Sequence, residues 1–227
     1  MAPDLRSSRA VVFDAYGTLF DVASAAERAR NALGERWRPL ADLWRTKQLQ
    51  YTWLRALMAR HADFWQVTGD ALDFALETLG VSEPALRARL MELYERLDTY
   101  PDARDTLARL RAAGLRTAIL SNGSPRMLAA AVESASLSGL LDMVLSVEEA
   151  GVYKPHPSVY RLAVQRLALA ATEILFVSAN GWDAHGAKAF GMRVAWCNRA
   201  GQPTERIPEP PDIAVASLAE LPALLGA

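Results

Sequence analysis

Asp14 stands in "VVFDAYGTLFDV", between an apolar run and a Gly-Thr turn. A carboxylate so placed can act as a nucleophile, as a base or simply as a turn residue. Three more polar groups occupy matching places further on. Ser121 and Asn122 close "LRTAILSN", Lys154 follows "DMVLSV" in the loop "EEAGVYKPHP", and Asp183 lies just beyond "EILFVSAN". An ammonium near a carboxylate favours its ionised, nucleophilic form, and hydroxyl and amide groups can hold an anion. Each residue alone has a plainer reading: a strand-to-helix turn, a solvated loop charge, a helix-start acid. Four of them at the ends of four strand-like runs make a candidate site.

The runs that would position them are "AVVFD", "LRTAILS", "DMVLSV", "EILFVSA" and "MRVAWCN", separated by amphipathic or turn-rich sequence. Such alternation predicts an α/β fold with a doubly wound, mostly parallel, Rossmann-like sheet, in which ligands bind outside the carboxyl ends of the strands. Between the first run and "PDARDTLARLRAAG" the alternation disappears and helical periodicity takes over. The expected organisation is a core of residues 1–20 and 100–227 with a helical cap inserted at 21–99. Within the cap, Leu40, Leu43 and Trp44, then Leu54, Leu57 and Met58, recur at helical spacing and are expected in a core or a subunit interface. "PTERIPEPPD" reads as a loop before a last strand, "IAVAS", and a closing helix.

With 227 residues, 51% of them hydrophobic, the chain can bury a sizeable interior. Its 25 basic and 26 acidic side chains nearly cancel, which points away from nucleic acid or an anionic membrane as a partner. The single cysteine, Cys197, lies in the apolar "MRVAWC" and reads as a buried structural thiol. The start, "MAPDLRSSRA", lacks a secretory apolar segment, and no run reaches a membrane span. The expectation is a soluble cytoplasmic protein.

"FDAYGTLFDV", "ILSNGSP", "VYKPHPSVY" and "FVSANGWDAHGAKAFG" resemble the four ordered motifs of the haloacid dehalogenase superfamily, and specifically of its L-2-haloacid dehalogenases. The resemblance spans nearly the whole chain, including "LWRTKQLQYTWLRALM" in the insertion. Superfamily phosphatases carry an acid two residues after the nucleophile, because an alkoxide leaving group needs a proton; a halide does not, and Tyr16 stands there instead. Their fourth motif is acidic and helps hold magnesium, whereas "VSANGWDA" offers Ser178 and Asn180 with only Asp183 acidic. Both departures favour dehalogenation without metal or other cofactor. The alternatives are a phosphatase or phosphonate hydrolase of the same superfamily, and a catalytically idle binding protein on this fold.

The resemblance implies a role for each matched residue. Asp14 attacks the α-carbon of a short L-2-haloacid, giving an ester that water hydrolyses to the D-2-hydroxyacid, with Lys154 nearby favouring the carboxylate. Arg45 and Asn122 receive the halide. Ser121 and the backbone that follows Asp14, from Ala15, receive the substrate carboxylate, and Thr18 steadies the Asp14 loop. Tyr16, Leu49, Phe64 and Trp182 are expected as apolar walls that exclude bulk water and set chain-length preference. Asp183, Ser178 and Asn180 are candidates to handle the hydrolytic water, without a choice among them, and Tyr160 is placed with the substrate-side residues as support for Lys154 and Asp183. His185 is given no role and is expected to be exposed or to cap a helix. The implied partners are the haloacid, water, halide and a second copy of the chain.

Overall fold

The computed structural model describes residues 4–227. Strand β1 (Ala10–Phe13) is buried at every residue, as a run of apolar side chains must be when helices cover both faces of a parallel sheet. After it come a two-residue strand, β2 (Phe20–Asp21), and helices α1 (Ser24–Arg28), α2 (Arg30–Leu33), α3 (Trp37–Leu57), α4 (Phe64–Thr78) and α5 (Pro84–Glu95). The chain returns through β3 (Asp98–Thr99), which pairs antiparallel with β2. It then alternates: α6 (Ala103–Ala112), β4 (Arg116–Ser121), α7 (Pro125–Ser134), β5 (Met143–Ser146), α8 (Pro157–Leu167), β6 (Ile174–Ser178), α9 (Gly181–Phe190), β7 (Arg193–Cys197), β8 (Ile213–Val215) and α10 (Leu221–Leu225).

The main sheet has the order β5-β4-β1-β6-β7-β8, and all its strand pairs are parallel. The predicted doubly wound α/β sheet is therefore present. The chain builds outward from β1 to β5, then crosses back to β6 on the other side, so the carboxyl end of β1 lies at the topological switch point. Register decides which side chains meet there. Phe13 pairs with Ile119 and with Val177, and the Asp14 N–H donates to the Val177 carbonyl at 2.9 Å. Asp14 is thereby level with Ser178, with Ser121 at the end of the neighbouring strand β4 and Asn122 just past it.

Helices α3 and α4 pack on each other over the site. Leu40, Trp44, Gln48 and Thr52 form the buried stripe of α3, Asp63 caps α4 by accepting from the Gln66 N–H at 3.0 Å, and the Trp44 indole donates to the Thr68 carbonyl at 2.9 Å. Part of the expected apolar face is not covered: Leu54 is 43% exposed, Leu57 84% and Met58 58%. These three do not join the core. His185 also departs from expectation. It is buried, and its Nδ1 bonds to the Pro208 carbonyl at 2.8 Å, tying the proline-rich loop to α9. Cys197 is buried, and burial pushes its thiol up to about 11. No helix is long and apolar enough to cross a membrane among the described residues.

Candidate active site

Asp14 is held by donors on both carboxylate oxygens. Lys154 Nζ donates to Oδ1 at 3.1 Å, while Asn180 Nδ2 donates to Oδ2 at 2.7 Å, with the Thr18 and Ser178 hydroxyls each at 3.4 Å. The Asn180 amide is oriented from both sides, because its Oδ1 accepts from Arg45 Nη2 at 3.2 Å and its Nδ2 also reaches the Tyr16 carbonyl at 3.1 Å. Thr18 is fixed in turn by accepting from the Ala179 N–H at 2.8 Å. Directly after Asp14, the N–H groups of Ala15 and Tyr16 have no acceptor among the described residues. Two free donors beside a carboxylate form a concavity suited to an anion.

Lys154 bridges two acids, with Asp183 Oδ2 at 2.8 Å beyond the 3.1 Å contact to Asp14. Burial alone would push its ammonium down, but the charges of Asp14 and Asp183 outweigh it and hold the group above its ordinary value. Asp183 is fully buried, and burial, reinforced by the charge of Asp14, pushes its carboxyl up to about 6 against the opposing pull of Lys154. Its other oxygen accepts from the Tyr160 hydroxyl at 2.7 Å. The Lys154 N–H donates to Asn122 Oδ1 at 3.1 Å, which fixes that side chain as well.

Nine residues line a small, partly open cavity over Asp14, with about 10 Å³ accessible to a water-sized molecule. The polar members are Asp14, Arg45, Ser121, Asn122 and Asn180; the larger walls are Tyr16, Leu49, Phe64 and Trp182. All nine were singled out from the sequence. Lys154, Asp183, Ser178, Thr18 and Ala15 stand behind this surface. Tyr160, placed in the sequence with the substrate-side residues as support for Lys154 and Asp183, lies in this inner layer: it is fully buried and faces Asp183, where α8 packs against α9 at Gly186. Burial pushes the Tyr16 and Tyr160 phenols well above their ordinary value, so both are neutral hydroxyls.

A model of the haloacid dehalogenase-like hydrolase family matches residues 8–191. The chain belongs to this family. The hydrolase is 48% identical over 218 residues to (S)-2-haloacid dehalogenase 1 of Pseudomonas sp. (strain CBS-3), covering 96% of each chain. It superposes on the crystal structure of a dehalogenase with a TM-score of 0.95, at 46% identity over 97% of this chain and 98% of that one. It also matches the L-2-haloacid dehalogenase of Xanthobacter autotrophicus with chloropropionic acid covalently bound, at a TM-score of 0.91 and 43% identity over 97% and 99% of the two chains.

Other residues of the hydrolase's site escaped the sequence reading. Gln48 Oε1 accepts from Arg45 Nη1 at 2.8 Å, while Gln48 Nε2 donates to Thr68 Oγ1 at 2.8 Å and the Tyr94 hydroxyl at 3.0 Å. Arg45 Nη2 also donates to the Tyr16 carbonyl at 3.2 Å, so the arginine is drawn from α3 across to the Asp14 loop. The available signal was the spacing "RTKQ": residues three apart share a helix face. Two glycines matter through close approach. A Cβ on Gly123 would lie 2.7 Å from the Tyr16 ring, and one on Gly186 would lie 2.6 Å from the Tyr160 hydroxyl.

Proposed function

We propose that this protein hydrolyses short L-2-haloalkanoic acids to D-2-hydroxyalkanoic acids with release of halide. The observation that carries the reading is Asp14 at the floor of the cavity, ringed by donors, with an aromatic side chain where a phosphate-handling relative needs an acid. The similarity to (S)-2-haloacid dehalogenases, and to one with a covalently bound chloropropionic acid, supports the same substrate class and an ester on the enzyme.

In this reading one Asp14 oxygen attacks the α-carbon from the side opposite the halogen. The carbon–oxygen bond forms as the carbon–halogen bond breaks, and halide leaves with the electron pair. Arg45 and Asn122 stabilise the charge growing on the halogen. Ser121 and the N–H groups of Ala15 and Tyr16 take the substrate carboxylate. Water then attacks the Asp14 carbonyl carbon, the alkoxide leaves and is protonated, and the carboxylate is regenerated. Asp183, poised by Lys154 and Tyr160, and the Ser178–Asn180 pair are the groups assigned to the water step; Thr18 holds the loop.

A magnesium site does not fit this set. Asp14 Oδ2 accepts from the Asn180 amide N–H and two hydroxyls, and both oxygens of Asp183 are engaged by Lys154 and Tyr160, so no second free carboxylate joins Asp14 to hold a dication. A phosphohydrolase is disfavoured for that reason and by Tyr16. The test is halide release from a panel of short 2-haloacids of both configurations, with and without chelator. Release from the L acids, unaffected by chelator, is expected; loss on chelation restored by magnesium would contradict the assignment. We further assign residues 21–99 to a cap unit, the exposed end of α3 to a homodimer contact, and the protein to the cytoplasm. The exposed Leu54, Leu57 and Met58 support the dimer, and the single buried thiol fits a reducing compartment.

A further inference from the structure

The cavity over Asp14 has free volume for about one water, too little for a haloacid as the walls stand. Some wall must yield. Tyr16 and Phe64 are packed into the core, and Arg45, Asn122 and Asn180 are tied by hydrogen bonds. Trp182 is different on two counts. Its indole N–H has no hydrogen-bond partner among the described residues, and its far side faces a second, largely apolar pocket of about 440 Å³.

Among the described residues, Trp182 alone lines both spaces. In the outer pocket it meets Trp53 edge-on, with ring centroids 5.3 Å apart and planes at 80°. The Trp53 N–H is likewise without a partner, so the pair is held by packing alone. Trp53 is one helical turn beyond Leu49 on α3, and Arg45 is one turn before it. The helix thus presents, four residues apart, a guanidinium and a leucine to the inner cavity and a tryptophan to the outer pocket. Beyond Trp53 the outer pocket continues over Ala56 and Leu57.

We infer that Trp53 and Trp182 form a movable partition, and that the outer pocket takes the alkyl tail of longer-chain 2-haloalkanoic acids. This rests on the proposed dehalogenase reading and deepens it. A 2-haloacid has three groups to place around its reacting carbon: the carboxylate, the halogen and the tail. The polar residues of the cavity serve the first two, leaving the tail for the apolar side formed by Leu49 and Trp182. Displacing Trp182 joins the inner cavity to a largely apolar space, in which Lys154 and His156 are the charged or polar members, so a longer tail is desolvated there while Lys154 keeps its bonds to Asp14 and Asp183. Trp53 is then a specificity-determining residue for chain length.

The experiment compares kcat/KM for (S)-2-bromohexanoate and (S)-2-bromopropanoate in the full chain and in two variants acting in opposite directions. Trp53→Ala widens the partition and is expected to raise the hexanoate-to-propanoate ratio about 10-fold; Ala56→Trp fills the outer pocket and is expected to lower it about 10-fold. A purely structural role for either residue would depress both acids together. An unchanged ratio in both folded variants overturns the proposal. Absence of halide from both acids in the unaltered protein would instead overturn the dehalogenase reading, and this proposal with it.

Discussion

Arg45 is a long cationic side chain on a helix, where the ordinary expectation is solvent. The structure draws it inward through three acceptors: Gln48 Oε1, the Tyr16 carbonyl and Asn180 Oδ1. Each acceptor takes part of the guanidinium fork, so the group is preorganised rather than mobile, which is the condition for stabilising charge that develops only in the transition state. Arg45→Ala is expected to lower kcat about 100-fold or more, measured by single-turnover halide release. Arg45→Lys should recover only part of this, because a point charge cannot reach acceptors spread around a planar fork. Near-normal turnover in Arg45→Ala would contradict the role. Asp183 carries a second prediction. Its carboxyl, pushed up by burial to about 6, takes a proton as pH falls through that value and ceases to balance Lys154. The kcat profile should therefore fall on the acid side near pH 6. Lys154, held above its ordinary value, should keep its charge through the alkaline range. Asp183→Asn should remove that acid limb along with most of the activity; an acid limb unchanged in the residual activity of the variant would place its origin elsewhere.

Helix α9 must approach α8 closely for Tyr160 to reach Asp183, and Gly186 permits it: a Cβ there would lie 2.6 Å from both the Tyr160 hydroxyl and Pro155 Cβ. Gly186→Ala is expected to cost about 1–3 kcal/mol of stability, as overpacking does, and to lower kcat by disturbing the Tyr160–Asp183 contact. Urea denaturation alongside turnover checks this; wild-type stability and rate would show that the helices separate freely. The strands of the main sheet were legible because each is a short apolar run bounded by turn residues, and the four polar positions were legible because each lies at or soon after the carboxyl end of such a run. The short ribbon of β2 and β3 was not, since two residues carry no readable period. Leu54, Leu57 and Met58 show a different limit. Helical spacing identifies a shared face, but not whether another part of the same chain covers it. Gln48 was missed because its importance comes from Thr68 and Tyr94, which reach it from other elements.

At the scale of the whole molecule, neither part makes the site alone. The sheet supplies Asp14, Ser121, Asn122 and Asn180, while the inserted helices supply Arg45, Leu49 and Phe64, and together they close the cavity. The exposed end of α3 predicts self-association, and light scattering at micromolar concentration should give twice the chain mass; a monomer would remove the dimer assignment. The central claim is that Asp14 itself bonds to the substrate, and its isotopic record tests this most directly. In a single turnover with excess enzyme in water enriched in heavy oxygen, the first hydroxyacid formed from an L-2-haloacid should carry ordinary oxygen in its new hydroxyl, taken from Asp14, and the heavy oxygen should appear in the Asp14 peptide. Heavy oxygen in the product of that first turnover, with the Asp14 peptide unlabelled, would show that water attacks the substrate directly and would contradict the account.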